Sequence, residues 1–220
     1  RLEKKITGPL FLGKDTHALS EPAFASAISV LIANGINVVI QSDALSDSQP
    51  NSGFTPTPVI SRLIISYNNK TASRADGLTA DGLIITPSHN PPTDGGIKYN
   101  PPHGGPAEGE ITKQIEKRAN ELISAGLVDV KNIPYNEALQ SPLLDKQDFI
   151  EHYVSQLDQV INMQAIAKAG VTIGVDPLGG SGIAYWPAIA EKYGINIKIV
   201  NPVVDASFAF MPLDKDGKIR

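Results

Sequence analysis

Short, uninterrupted apolar runs alternate along this chain with longer stretches whose apolar residues return every three or four positions. No other feature restricts the fold as much. Pro9–Gly13, Ile36–Gln41 and Leu83–Thr86 read as strands that are apolar throughout instead of on every second residue. Strands of that kind are buried on both faces, which implies a mainly parallel sheet with helices on both sides. Between the first two runs, Ser20 is an N-cap candidate with Glu21 and Pro22 in the first turn. Phe24, Ala27, Ile28, Leu31 and Ile32 then form one face of a helix that stops at Asn34-Gly35. Thr57-Pro58 starts a second helix through Val59, Leu63, Ile64 and Tyr67, ending near Asn68-Asn69. Ser42–Phe54 reads as a loop, and the polar stretch after Asn69 as a linker. The order is β-α-β-α-β, and the loops leaving Lys14, Thr55-Pro56 and Ser88 should share one edge of the sheet. Ligands of open α/β sheets bind outside the carboxyl ends of the strands, so these loops should converge on one crevice.

Further along, Glu108–Ala125 is expected to be a helix with Ile111, Ile115, Leu122 and Ile123 on one side, and Ile133–Gln147 to be irregular. Asp148–Met163 reads as an amphipathic helix through Phe149, Tyr153, Leu157 and Ile161. The β-α-β theme restarts with a strand at Val171–Val175, a helix at Ile183–Tyr193 and a strand at Ile195–Val200. This places a domain boundary near residue 166, giving domains at 1–165 and 166–220, the second incomplete. Residues 1–5 look like the tail of a helix. Both ends, Arg1 and Lys218-Ile219-Arg220, read as cuts in a longer protein.

The 220 residues are 41% hydrophobic and 19% charged, ordinary for a globular chain. A net charge of −4 argues against nucleic acid or an anionic membrane as the main partner. With no cysteine there is no disulfide, thiolate metal site or catalytic thiol, and the composition suits the cytoplasm. No apolar run reaches the ~20 residues needed to span a bilayer. Nothing in the sequence reports oligomeric state.

The chemistry-bearing stretch is Thr86-Pro87-Ser88-His89-Asn90-Pro91-Pro92. The prolines prevent continuation of strand or helix, so Ser88 sits on a loop at a strand end. A bare Ser-His pair is ordinarily a polar loop. Neighbouring residues of an extended chain point opposite ways, so His89 is poorly placed as a direct base for Ser88. No G-x-S-x-G elbow is present. The setting nonetheless suits a phosphoryl group on the hydroxyl, held by backbone N–H groups, a cation and a metal. Lys98 follows Gly95-Gly96, whose bare backbone permits close approach to a ligand, and Tyr99 and Asn100 could shape the wall. An amine held near phosphates can carry protons, although most lysines are simply solvated. Gly179-Gly180-Ser181-Gly182 does not match the dinucleotide pattern; it is either a tight strand-to-helix turn or a phosphate site. The four histidines lack close metal-ligand spacing, and Asp214-Lys215-Asp216-Gly217 reads as a turn.

Thr86-Pro87-Ser88-His89-Asn90-Pro91 resembles the active-serine signature of the α-D-phosphohexomutases. Asp94-Gly95-Gly96-Ile97-Lys98-Tyr99-Asn100 through Gly104-Gly105-Pro106-Ala107 resembles the phosphoglucomutase branch of that family. Gly13-Lys14-Asp15 is similar to the family's G-x-D loop, Gly53–Pro58 to its TP loop, and Val175–Gly182 to the opening of its second domain. Many members carry Arg two residues after that Asp; this chain has His17. The resemblance implies a three-layer α/β/α domain with a mostly parallel, mixed sheet, and then part of a second domain of the same kind. It also implies interconversion of glucose 1-phosphate and glucose 6-phosphate through a phosphoserine enzyme and a glucose 1,6-bisphosphate intermediate. Ser88 would carry the phosphoryl group, Lys98 would move protons and His89 would support. Thr86, Asn90, Gly95, Gly96, Tyr99, Asn100, Lys14, Asp15 and His17 would belong to the substrate and phosphate loops. Mg²⁺ would be held by the phosphate on Ser88 and by ligands outside this chain. The partner implied is a small hexose phosphate, with mannose or glucosamine phosphates as alternatives and a non-catalytic phosphosugar-binding fragment as the rival.

Overall fold

The computed structural model describes residues 1, 5–45, 52–71 and 79–218. The helix tail expected at 1–5 lies mostly outside these residues, as do part of the 42–54 loop and the linker after Thr71. A five-stranded sheet has the order β4-β3-β1-β2-β5: β1 Leu10–Lys14, β2 Val38–Gln41, β3 Asp81–Ile85, β4 Ile97–Asn100 and β5 Leu144–Gln147. All neighbours are parallel except β3 and β4. The result is a three-layer α/β/α unit with a mixed, mostly parallel sheet.

The layers follow from the side-chain period of two. Leu10, Leu12, Val38, Ile40 and Ile85 face α1 (Ser20–Ala33) through Phe24, Ile28 and Ile32. Phe11, Val39 and Ile84 face the opposite way, toward Val59, Ile60, Leu63 and Ile64 of α2 (Thr57–Thr71) and Phe149 and Val154 of α5 (Phe149–Val154). β1, β2 and β3 bury both faces, so an apolar run without alternation was the right signal for these three.

Several elements depart from the sequence reading. Residues 97–100 form a strand that returns antiparallel to β3, an element the sequence reading did not include. The stretch read as irregular, Ile133–Gln147, holds the short helix α4 (Tyr135–Ala138) and edge strand β5. The helix expected over 148–163 stops at Val154. Asn162 then caps a separate helix, α6 (Met163–Lys168), accepting a hydrogen bond from Ala165 N–H. Ser20 is the first residue of α1 instead of its cap, because its hydroxyl donates to Asp15. The helix α3 (Gly109–Ser124) forms as expected, yet none of its residues is buried.

The remainder comprises β6 (Ile173–Val175), α7 (Tyr185–Tyr193) and β7 (Ile197–Ile199), with β6 and β7 parallel. The segment beyond β7 returns to the β1 loop, where Ala18 N–H donates to the Ala206 carbonyl over 3.2 Å.

Candidate active site

Loops from the carboxyl end of the first sheet meet at a cavity of ≈320 Å³. Asp15, Thr16 and His17 enter after β1, Thr57 from the start of α2, Thr86, Ser88 and His89 after β3, and Lys98 from β4. Pro177, Leu178, Gly180 and Ser181 close it from the loop after β6, with Phe208 and Met211 from the final segment.

The serine loop is a hairpin connection between β3 and β4, closed where Thr86 N–H donates to the Gly96 carbonyl over 2.9 Å. Gly96 is required there, because a Cβ would lie 2.6 Å from the Thr86 carbonyl oxygen. Ser88 is exposed and has φ +68°, a left-handed conformation uncommon for a residue with a Cβ. Its N–H donates to Thr86 Oγ1 over 2.9 Å. Thr86 in turn donates to Asp15 Oδ2 over 2.5 Å.

Asp15 gathers four donors. His17 N–H (3.0 Å) and the Ser20 hydroxyl (2.5 Å) reach Oδ1, while His17 Nδ1 (2.9 Å) and the Thr86 hydroxyl reach Oδ2. Burial alone would raise its pKa. The hydrogen bonds from His17, Ser20 and Thr86 outweigh burial and hold the carboxyl below its ordinary range. His17 is 5% exposed, and its Nε2 lies 2.9 Å from the Asn90 carbonyl oxygen. Burial disfavours the charged ring, but the Asp15 hydrogen bond, the Asn90 carbonyl and the charges of Asp15 and Asp94 together lift the imidazole above its ordinary value.

Ser88, His89, Lys98, Thr86, Asp15 and His17 therefore line one cavity. Lys98 stands opposite Ile84 in the β3–β4 register, which brings an exposed amine to the serine's edge of the sheet. Other candidates lie elsewhere. Lys14 is 2% exposed and turns inward: its ammonium pairs with Glu21, reaches the Ala44 carbonyl at 3.3 Å and lies 5.1 and 5.7 Å from the rings of Phe24 and Phe54. Tyr99 donates its hydroxyl to Asp81 Oδ2 over 2.9 Å, beside the Arg1–Asp81 ion pair. Burial and the Asp81 charge push that phenol well up from its ordinary pKa. Asn100 donates to Ser61 Oγ and the Gly104 carbonyl, tying the next turn to α2. Gly95 and Gly96 shape the loop without lining the cavity, and Asn90 takes part through its carbonyl. Tyr99, Asn100 and Lys14 therefore make their contacts outside the cavity lining, since a side chain's direction is set by its strand register.

Three contributions were not foreseen. Ser20, read as a cap, serves Asp15 instead. The Phe208 ring packs against His17 at a tilt of 48°, with centroids 4.7 Å apart. Lys218 Nζ donates to Asn90 Oδ1 over 2.6 Å, and Asn90 Nδ2 donates to Asp94 Oδ2. The only local hint was a pair of aromatic residues, Phe208 and Phe210, in the final segment.

Among the described residues no group of three or more His, Asp or Glu side chains is placed to hold a metal ion. Asp15, the carboxylate among the lining residues, already has donors on both oxygens. Mg²⁺ prefers several oxygen ligands, so the described residues do not form a self-contained site for it.

The alpha/beta/alpha domain I model of the phosphoglucomutase/phosphomannomutase proteins matches residues 1–125. The chain belongs to this family. A phosphoglucomutase of Komagataeibacter xylinus is 51% identical over 215 residues, which is 98% of this chain and 37% of that protein. A phosphoglucomutase/phosphomannomutase of Thermococcus kodakarensis is 28% identical over 197 residues, 90% of this chain and 37% of that protein. The open form of the Paramecium phosphoprotein pp63/parafusin superposes with a TM-score of 0.70 at 19% identity, covering 96% of this chain and 39% of that one. That likeness shows the fold. The chain spans 37% of the length of both curated relatives. Among the described residues no helix is long and apolar enough to cross a membrane.

Proposed function

We propose that this chain carries the phosphoryl-transfer loop of a phosphoglucomutase, with residues 1–165 and 166–220 belonging to two successive domains. The observation that carries the reading is Ser88: an exposed hydroxyl in a left-handed conformation, anchored by its neighbours at the rim of a cavity that also receives Lys98. Phosphorylated Ser88 would give its phosphoryl group to the free hydroxyl of a hexose monophosphate. The P–Oγ bond breaks, a P–O bond to the sugar forms, and the sugar's proton passes to Oγ with Lys98 as relay. Return of the other phosphate of the bisphosphate to Ser88 completes the isomerisation. His89 supports the loop. Glucose phosphates are favoured over mannose and glucosamine phosphates because the Komagataeibacter phosphoglucomutase is 51% identical, against 28% for the dual-named Thermococcus protein.

Ser88→Ala in the full-length protein is expected to abolish turnover, and near-normal activity in that variant would sink the proposal. Turnover of the three sugar phosphates by the full-length protein decides the substrate. The isolated chain is expected to lack mutase activity, and a rate from it would reverse that. An adduct of ~80 Da on Ser88 in the intact mass supports the phosphoenzyme over a plain binding fragment.

A further inference from the structure

The segment from Thr86 to Asn90 is fastened at both ends to a single pair of side chains. At one end Thr86 accepts from Ser88 N–H and donates to Asp15; at the other the Asn90 carbonyl faces His17 Nε2 at 2.9 Å. The Asp15–His17 contact, 2.9 Å, closes the ring. At its centre Ser88 holds φ +68°, a backbone state that persists only where the surroundings over-determine it. We propose that His17 is a positioning residue for Ser88: its imidazolium, seated between the Asp15 carboxylate and the Asn90 carbonyl, holds the serine in its left-handed conformation facing the cavity.

The donor count requires the cation. A carboxylate and a carbonyl oxygen only accept, whereas a neutral imidazole has one N–H and one lone pair. Either neutral tautomer turns a nitrogen lone pair toward an oxygen, and one side of the ring opens. The charges around the ring act on this balance from several elements. Asp15 on the same loop and Asp94 beyond β3 favour the cation. Lys218 reaches the Asn90 side chain from the final segment, and the Phe208 ring packs against the imidazole, whose burial disfavours the cation. Because the folded pKa is raised, the clamp is complete below the ordinary imidazole value, where Asp15 is still ionised, and is lost as pH rises through the raised value. The structural part of this proposal stands on the hydrogen-bond ring. Its effect on turnover rests on Ser88 being the phosphoryl carrier.

The test is a titration of the ¹⁵N-labelled chain, with the ring resonances of His17 and His89 assigned separately, from about pH 5 to 9. The His17 ring nitrogens are expected to titrate above the ordinary value of ~6.5, and the Ser88 amide to shift with the same midpoint. In His17→Gln that shared transition should vanish. A Ser88 amide unaffected by His17→Gln, or moving with a different midpoint, would overturn the clamp. In the full-length enzyme His17→Gln is expected to lower kcat by roughly ten- to a hundredfold with KM little changed. His17→Arg, which keeps a charge, should restore most of that loss and remove the alkaline decline. No rescue by Arg, or an unchanged kcat in His17→Gln, counts against the role. Retained turnover in Ser88→Ala would reject the phosphoryl-carrier reading alone, leaving the amide titration to decide the clamp.

Discussion

The two sheets use similar strands under different cover. Every residue of β1 and β2 is buried, whereas none of β6 or β7 is. β1 has a strand on each side and helices on both faces; β6 pairs with β7 alone. Between the two units lies an apolar cavity of ≈410 Å³, lined by Ile173, Trp186, Ile189 and Ile197 on one side and by Pro58, Val59 and Leu157 on the other. Strand sequence specifies pairing, but rigidity comes from what covers the strands. The cavity at Ser88 draws its serine, lysine and histidines from the well-covered sheet, and its Leu178–Ser181 wall from the sparsely covered one.

Core substitutions test this contrast most severely. Ile84→Ala removes a fully buried side chain from β3 and should cost about 2–5 kcal/mol in urea unfolding. Ile173→Ala in half-buried β6 should cost about 1 kcal/mol or less; equal losses at the two sites would dissolve the distinction. Gly53 has φ +73°, and a Cβ there would lie 2.2 Å from Ala44 Cα. Gly53→Ala should therefore destabilise the first unit by roughly 1–3 kcal/mol, read as a lower thermal midpoint. Asp148 caps α5 by accepting from Glu151 N–H over 2.9 Å, and Asp148→Ala should cost about 1 kcal/mol. Amide exchange at Ile173 and Val200, which bond across β6 and β7, should proceed by local opening while Leu12 and Ile84 wait for global unfolding.

The mildest expected effect is a difference in titration within the first sheet. Asp15 is held below its ordinary pKa, so its stabilising contribution is present above the unfolded value and lost as pH falls through the lowered one. Asp81 goes the other way: burial raises its pKa further than Arg1 and Tyr99 lower it. Its contribution is therefore present below the unfolded value and lost as pH rises through the raised one. Carboxyl ¹³C titration should place Asp81 above Asp15; the reverse order would show that hydrogen bonds do not dominate at Asp15.

Much of this arrangement was legible from local chemistry. Leu10-Phe11-Leu12 announced a two-sided strand because both faces needed apolar cover, and Asn34-Gly35 announced a stop because Gly35 takes φ +70°. The prolines around Ser88 located a loop at a strand end. The edge strands were hidden. Ile97–Asn100 and Leu144–Gln147 are short and largely polar, and only pairing with β3 and β2 makes them strands. Lys14 was assigned to the site because Gly13-Lys14-Asp15 resembles the family's G-x-D loop, yet its ammonium lies against the rings of Phe24 and Phe54. His17 drew notice only as a departure from a pattern, since the partner that gives it meaning, Asn90, lies 73 positions away.

One consequence of the reversed direction of β4 concerns how such a site can change over generations. Lys98 is fixed by sheet register opposite Ile84, whereas Ser88 rides on the connection between the two strands. Insertions or deletions in that connection would leave the amine where it is and alter only the reach of the hydroxyl. Selection can therefore adjust the geometry of one partner at a time, with the lysine serving as a datum.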